Sequence, residues 1–178
     1  MLLNYGVGHF LINTYSVESE NELLSRLEHN YKQPLLLTKP EYYSEYMIIS
    51  CSKLGSLNKT GIGVFIYNGG FPVFLMAPPK DDILLIGYNE NVALIDLNTH
   101  QLMFDRFLSS PVVFCKCYSE SILVLAEIDI YLFSYNGELL NSMPLDGILE
   151  KYNFLENSLN LLTDQGEITI TLSDFGVK

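Results

Sequence analysis

The sequence predicts a mainly β (α+β) protein: an N-terminal strand–helix–strand piece followed by propeller-like antiparallel β units that form an open stack. Three observations indicate this fold: a helix start signal early in the chain, an almost continuous β pattern from residue 62, and a strand pattern that repeats after residue 80. A chain of 178 residues has the length of one domain. We therefore expect a single domain over 1–178, with a mixed α/β subregion (1–60) and repeated antiparallel units (61–178).

The first predicted elements are a strand and a short helix. The run HFLINTY (9–15) has strand character. Ser19 and Glu22 match a capping box, in which each side chain accepts a hydrogen bond from the other residue's backbone, and three leucines follow at helical spacing. We expect one amphipathic helix over about residues 19–30.

Short strands and a loop are predicted to follow the helix. PLLLTK (34–39) is a candidate for a short buried strand, and YMIIS (46–50) resumes β character. The Gly, Ser and Asn content of residues 53–63 is typical of a loop. The runs IGVFIY and FPVFLM then flank Asn68-Gly69, a pair that favours a tight turn, so we expect a hairpin there.

A strand unit occurs three times in the second half of the chain. Val92, Ile130 and Ile168 mark equivalent strands and follow one another at intervals of 38 residues. Each unit opens with an apolar strand and continues with a strand that ends at a polar turn, and the last unit is cut short. This period lies in the range of propeller blades. The intervening runs 112–118 and 148–154 are expected to be outer strands.

The number of units predicts an open arrangement, because a closed propeller needs at least about four blades. We expect a stack of small sheets with the N-terminal piece packed on one end. The edges of such a stack must be covered or must carry charge. Glu127 and Asp129 fall between a buried strand and the next strand, where acidic side chains can emerge from the core.

The negative charge of the chain is confined to its second half. The net charge is −11; residues 1–80 carry six acidic and six basic side chains, whereas residues 81–178 carry fifteen acidic and four basic ones. A field of one sign repels nucleic acid and anionic lipid and attracts basic partners. Composition alone favours the simpler explanation, solubility.

Cysteine usage and hydropathy predict a cytoplasmic protein. Three cysteines without the spacing of a disulfide framework fit a reducing compartment. No apolar run approaches the roughly 18 residues of a spanning helix, and the first residues resemble mature structure more than a signal peptide. We expect no membrane contact and a monomer when the protein is free.

No motif in the sequence predicts an enzyme, a cofactor or a metal site. The three histidines lack the spacing of metal ligands. Cys115 and Cys117 are explained better as two small buried side chains than as ligands, and Asp81-Asp82 as solvated turn residues. Because no nucleophile–base set is visible, we expect a non-enzymatic protein.

Acidic residues of the second half, with the tyrosines among them, are the candidate binding residues. The acids would steer a basic partner toward the protein, and the tyrosines would supply buried anchors. Tyr88 and Tyr118 are further candidates for anchors. The predicted partner-binding residues are Asp96, Asp105, Glu120, Glu127, Asp129, Tyr131, Tyr135, Glu150 and Tyr152.

Residues 83–172 resemble bacterial immunity proteins of polymorphic toxin systems, which include contact-dependent growth inhibition systems. The family pattern has a buried strand ending in Ala-Glu, a second strand, an Asn/Asp-Gly turn and a short run with Trp. Ala126-Glu127, Asn136-Gly137 and Asp146-Gly147 stand at these places. This chain lacks the Trp and has Asn141 or Ser142 instead. The resemblance implies neutralisation of a cognate toxin and carries over no catalytic residue.

Charge and resemblance together predict an immunity protein that binds a basic toxin domain, with a nuclease (RNase or DNase) as the expected toxin. An acidic partner would associate quickly with a basic nuclease and could cover its active site. Two alternatives stay open, which are a propeller-like structural or accessory scaffold and a β module that binds a small ligand or a sugar.

Overall fold

The computed structural model describes residues 4–7, 9–55, 59–67, 73–76 and 82–177. Within these residues the chain forms four sheets stacked face to face, with a helix on the outer face of the first sheet. The predicted mainly β fold with propeller-like open units is confirmed. No helix in the described part of the chain has both the length and the apolar character needed to span a bilayer.

The N-terminal sheet contains five strands and is accompanied by the helix. These elements are β1 (Asn4–Val7), β2 (Phe10–Val17), α1 (Glu20–Asn30), β3 (Leu35–Leu36), β4 (Glu45–Lys53) and β5 (Lys59–Ile66). The order across the sheet is β1-β2-β4-β5-β3. β3 runs parallel to β5, and the other pairs are antiparallel.

Three further sheets follow in chain order, and we call them the first, second and third blades. Two have four strands and the third has three, so the last unit is cut short as predicted. The first blade contains β6 (Phe74–Met76), β7 (Ile83–Tyr88), β8 (Asn91–Asp96) and β9 (Gln101–Phe107). The second contains β10 (Val112–Cys117), β11 (Ser121–Ala126), β12 (Asp129–Ser134) and β13 (Leu139–Pro144). The third contains β14 (Leu149–Phe154), β15 (Ser158–Thr163) and β16 (Gly166–Thr171).

Apolar side chains on both faces of the central strands hold the stack together. Along β7, Leu84 and Ile86 pack against the N-terminal sheet, whereas Ile83 and Leu85 pack against the second blade. β11 repeats this arrangement between the first and third blades. Continuous apolar runs are therefore needed here, because a strand sandwiched between two sheets buries alternate side chains in opposite directions.

The predicted helix is confirmed, with a small change in its capping. Ser19 is the N-cap, and its Oγ accepts a hydrogen bond from the backbone N–H of Glu22 at 3.2 Å. The Glu22 carboxylate in turn accepts from the N–H of Glu18 at 2.8 Å, one residue before the position that the capping box predicts.

The predicted loop over residues 53–63 is wrong from Lys59 onward, because β5 begins there. Gly61 and Gly63, which suggested a loop, allow a close approach instead. A Cβ atom at Gly61 would clash with the ring of Tyr31, and one at Gly63 would lie 2.7 Å from side-chain atoms of Leu27 and Leu36. Glycine is present because side chains of the helix, of the segment after it and of β3 lie directly on the backbone of β5.

The predicted hairpin around Asn68-Gly69 is also wrong, although its tip lies outside the described residues. β5 pairs with β4 and β3, whereas β6 pairs with β7 in the first blade. Since β5 already has a neighbour on each side, no edge is open for β6. The N-terminal sheet thus continues to Ile66, past residue 60. In the segment 34–39, only the two residues of β3 form a strand.

Candidate partner-binding site

Acidic side chains of the blades lie at two opposite edges of the stack, because successive turns of antiparallel sheets alternate between the edges. We call one the Glu127 edge; it consists of the turns at residues 89–90, 108–111, 127–128, 145–148 and 164–165. The turns at 97–100, 118–120, 135–138 and 155–157 form the opposite edge. Some of the predicted binding residues lie at these edges, and the others lie within strands.

The Glu127 edge is held rigid by backbone hydrogen bonds that link one blade to the next. The N–H of Val112 donates to the carbonyl of Asn89 at 2.7 Å, and the N–H of Glu127 donates to that of Pro111 at 2.9 Å. The N–H of Leu149 then donates to the carbonyl of Glu127 at 2.8 Å. The backbone of these turns is therefore fixed from one blade to the next.

Glu127 and Asp129 lie on this edge, at the end of β11 and the start of β12, as the sequence predicts. Both are partly exposed. Asp129 accepts a hydrogen bond from the hydroxyl of Ser109, whose Oγ also lies 2.8 Å from the hydroxyl of Tyr131. Ser109 thus attaches the loop between the first and second blades to two residues of β12.

Asp105 serves as an internal connection between the first blade and the N-terminal piece. Its carboxylate accepts hydrogen bonds from the hydroxyl of Tyr88 at 2.7 Å, the amide of Asn91 at 3.1 Å and the backbone N–H of Thr38 at 3.1 Å. Tyr88 itself is fully buried, so it packs in the core and cannot serve as an anchor for a partner.

Three of the predicted residues lie at the opposite edge. Asp96 accepts hydrogen bonds from the backbone N–H groups of Asn98 at 2.8 Å and Thr99 at 3.0 Å, so its carboxylate closes a turn. Glu120 is exposed on the turn between β10 and β11. Tyr135 is buried, and its hydroxyl donates to the carbonyl of Tyr118 at 2.6 Å.

The two remaining predicted residues belong to β14 in the third blade. Glu150 is exposed. Tyr152 is 37% exposed, and its ring lies 5.0 Å from that of Phe114 in the second blade. Tyr152 therefore contributes to packing between the blades and has limited surface for a partner.

Beside the Glu127 edge, a cleft of about 480 Å³ opens between the N-terminal piece and the first blade. Two aromatic side chains that line it are highly exposed: Tyr42 at 77% and Phe107 at 75%. Exposed aromatic rings cost hydration free energy and are typical anchors of protein interfaces. The other lining residues are Thr38, Lys39, Pro40, Glu41, Tyr67, Glu90 and Asn91. We call this feature the aromatic cleft.

The aromatic cleft carries negative charge although Lys39 lines it. The ammonium group of Lys39 lies 2.8 Å from the Glu20 carboxylate and 4.5 Å from the ring centroid of Tyr43. Glu20 therefore offsets this cation. Within the described part of the chain, no basic side chain forms an ion pair with Glu41 or Glu90.

Tyr67 connects the aromatic cleft to the acids of the Glu127 edge. Burial, together with the hydrogen bond to Glu90 and the negative charges of Glu90 and Glu127, raises its pKa to about 12. Tyr67 thus stays protonated at neutral pH and is hydrogen-bonded to Glu90. Aromatic cleft and acidic edge form one continuous surface.

Sequence reasoning missed Tyr42 and Phe107. It searched for anchors among the tyrosines of the acidic half, and most of those are packed between sheets. A local signal was available for Tyr42, which lies in the segment KPEYYS, where proline and charged residues make a buried loop improbable. Phe107 gives no such signal. The same strand, β9, contains Phe104, which is buried, so the sequence does not distinguish the exposed phenylalanine from the buried one.

The described residues contain neither a set of metal ligands nor a reactive thiol. No group of three or more His, Cys, Asp or Glu side chains among them could hold a metal ion. Cys51, Cys115 and Cys117 are unpaired thiols. Burial raises the pKa of the Cys51 thiol to about 12 and that of Cys117 to about 11, which makes both poor nucleophiles.

Comparisons with known proteins give the fold. No protein-family model and no curated protein sequence matches the chain. Among solved structures, the dihydro-heme d1 dehydrogenase NirN in complex with DHE matches with a TM-score of 0.55 and 13% identity, over 99% of this chain and 42% of that one. HIRA(644-1017) matches with a TM-score of 0.51 and 9% identity, over 99% of this chain and 54% of that one.

A third match is BamB from Moraxella catarrhalis, with a TM-score of 0.49 and 11% identity over 74% of this chain and 42% of that one. These neighbours are β-propeller proteins. The chain spans about half the length of the structures it matches. At these identities the likeness concerns the fold alone.

Proposed function

We propose that this protein is a non-enzymatic binding module that holds a basic protein against the aromatic cleft and the Glu127 edge. The observation that carries the proposal is the pair of exposed rings, Tyr42 and Phe107, in a cleft whose carboxylates, Glu41 and Glu90, have no basic partner among the described residues. Aromatic anchors supply affinity, and unpaired carboxylates supply charge complementarity.

The partner that best fits this surface is a toxin domain that acts on nucleic acid. Such a domain must be basic to bind phosphates. The resemblance to immunity proteins of polymorphic toxin systems supports the same partner, and the confined charge of −11 supports fast association with it. Neutralisation would follow from coverage of the toxin's cationic substrate groove. The proposed site contains fewer residues than the set predicted from the sequence, since Asp105 and Tyr135 form hydrogen bonds within the fold.

A cytoplasmic location belongs to this proposal, because a toxin must be met where it acts. The three unpaired thiols are compatible with a reducing compartment.

Co-expression tests the function directly. The toxin domain encoded beside this gene is expressed with the wild-type protein or with a Tyr42→Ala, Phe107→Ala, Glu90→Gln triple variant, and surviving cells are counted. Survival with the wild type and death with the triple variant are expected. Equal protection by both proteins would place the interface elsewhere, and death in both cultures would remove the toxin as partner.

A second candidate function is the binding of a small ligand or a sugar. A volume of about 480 Å³ falls within the range of small-molecule sites, and exposed rings can stack on apolar ligand faces. A rise in melting temperature with one member of a metabolite panel, absent in Tyr42→Ala, would favour this reading over a protein partner.

A propeller-like scaffold without a toxin partner would instead co-purify with a housekeeping complex.

A further inference from the structure

On the outer face of the N-terminal sheet, α1 covers only one part of the strands. Leu23 and Leu27 of the helix pack against Val17, Ile48 and Phe65. Farther along β4, the same face carries Ser50, and here a hollow of about 380 Å³ remains between helix and sheet. Its polar lining consists of Tyr15, Arg26, Asn30, Tyr31, Ser50 and Lys59. We call it the Tyr31 hollow.

The wall of the Tyr31 hollow is held in place by two specific contacts. The ring of Tyr31 lies directly on the backbone of Gly61, where a Cβ atom would clash with it. Its hydroxyl is hydrogen-bonded to Ser50, which is buried at the floor and lies next to Gly61 in the β4–β5 register. The glycine therefore makes room for the Tyr31 ring, which forms one wall of the hollow.

Two carbonyl groups of the last helical turn beside the Tyr31 hollow are already hydrogen-bonded. The last turn of a helix leaves carbonyl groups with partial negative charge. Here the side chain of Asn30 donates to the carbonyl of Arg26 at 2.9 Å, and the N–H of Tyr31 donates to that of Leu27 at 3.3 Å. Two acceptors at this helix end are therefore occupied, and the guanidinium of Arg26 and the ammonium of Lys59 are the charged donors of the lining.

Two basic side chains, Arg26 and Lys59, line this hollow. Arg26 forms an ion pair with Glu22 at 2.7 Å, which offsets part of its charge and engages one of its guanidinium nitrogens. Lys59 is exposed, and no described residue pairs with it in an ion pair. No carboxylate lines the cavity. Arginine and lysine with hydroxyl and amide donors are the groups that bind phosphate oxygens.

We propose that the Tyr31 hollow binds a small organic phosphate. The phosphate would lie between Arg26 and Lys59, and the organic group would contact the rings of Tyr15 and Tyr31. The volume suffices for such a molecule, since small-ligand sites begin at about 300 Å³. This site is independent of the aromatic cleft, because it lies on the helix face of the N-terminal sheet and attracts the opposite charge.

Nuclear magnetic resonance of the ¹⁵N-labelled full chain tests the site with phenyl phosphate as the probe, and phenol as the uncharged probe, at equal ionic strength. Saturable shifts of the amide signals of Tyr31, Ser50 and Gly61 are expected with phenyl phosphate and not with phenol. Lys59→Gln should weaken the apparent affinity about tenfold, since it removes one charge-assisted contact. Lys32→Gln is the matched control, because Lys32 is an exposed cation outside the hollow, and it should leave the affinity unchanged.

Three results would each overturn the proposal. Shifts that grow linearly without saturation would show a general salt effect. Equal shifts with phenol would show that the phosphate plays no role. Unchanged affinity in both Lys59→Gln and Arg26→Gln would place the probe elsewhere on the protein.

Discussion

The hydroxyl of Tyr88 donates a 2.7 Å hydrogen bond to Asp105, and this bond within the first blade fixes the carboxylate that holds the segment bordering the aromatic cleft. The same carboxylate accepts from the backbone of Thr38, which lines that cleft. Burial, with Asp105 beside it, raises the pKa of Tyr88 well above its usual range. One acidic residue of the charged half thus positions the segment that borders the aromatic cleft.

Replacement of Asp105 by alanine should destabilise the protein. The hydroxyl of Tyr88 and the amide of Asn91 would both stay buried without this acceptor. An unsatisfied buried polar group costs about 1–3 kcal/mol, so we expect a loss of about 3 kcal/mol in the free energy of unfolding, measured by urea denaturation. Glu138→Ala, at an exposed turn, is the control and should change stability by less than about 0.5 kcal/mol. A similar result for both variants would show that Asp105 is not a structural connection.

Removal of either exposed ring of the aromatic cleft should weaken partner binding while the fold stays intact. Tyr42→Ala and Phe107→Ala should each raise the dissociation constant for the toxin domain by roughly 30-fold, as central aromatic anchors do. Leu54→Ala is the control, because Leu54 is 67% exposed and lies outside the cleft. Calorimetric titration measures the affinity, and thermal unfolding checks the fold. If Leu54→Ala weakens binding as strongly, the cleft is not the anchor.

Charge at the Glu127 edge should govern the association rate. The double variant Glu90→Gln, Glu127→Gln should associate more slowly at low salt, because two carboxylates near the cleft no longer steer the partner. Glu138→Gln, Glu156→Gln changes the net charge equally at the opposite edge and should slow association much less. Biolayer interferometry at several salt concentrations measures both. Association rates that do not depend on salt would contradict an electrostatic interface.

High pH should destabilise the protein, and Tyr67 should contribute to the loss. Its pKa is about 12 in the folded protein and about 10 when unfolded. Below pH 10 both states are protonated, so stability does not depend on this group. Between pH 10 and 12 the unfolded state loses the proton first, so the free energy of unfolding falls as pH rises. Urea denaturation across this range should show a shallower fall in Tyr67→Phe; an identical slope would mean that Tyr67 titrates normally in the fold.

Local patterns were sufficient to predict much of the architecture. The capping box at Ser19, the repeat marked by Val92, Ile130 and Ile168, and the truncation of the last unit depend on residues close together in the chain. A continuous apolar run such as β11 indicates that both faces of the strand are buried, because each neighbouring sheet packs against its own set of alternate side chains.

The wrong predictions share a physical cause, which is the influence of distant neighbours. Gly61 and Gly63 resemble loop residues until Tyr31 and Leu27 are seen to pack on them. Asn68-Gly69 resembles a hairpin turn, but β4 and β3 already occupy both sides of β5. Local turn propensity is worth less than the pairing of an entire strand, so tertiary structure decides in such cases.

The sequence by itself determined the amount of negative charge and its restriction to one half of the chain. It also determined the blade-like repeat that carries this charge. Only the tertiary structure decided which side chains are engaged within the fold and which are exposed: Glu20 pairs with Lys39, Asp105 is bonded inside, and Tyr42 and Phe107 line one cleft. The reason is that availability depends on neighbours brought together by strand order and sheet stacking, and these neighbours lie many residues apart along the chain.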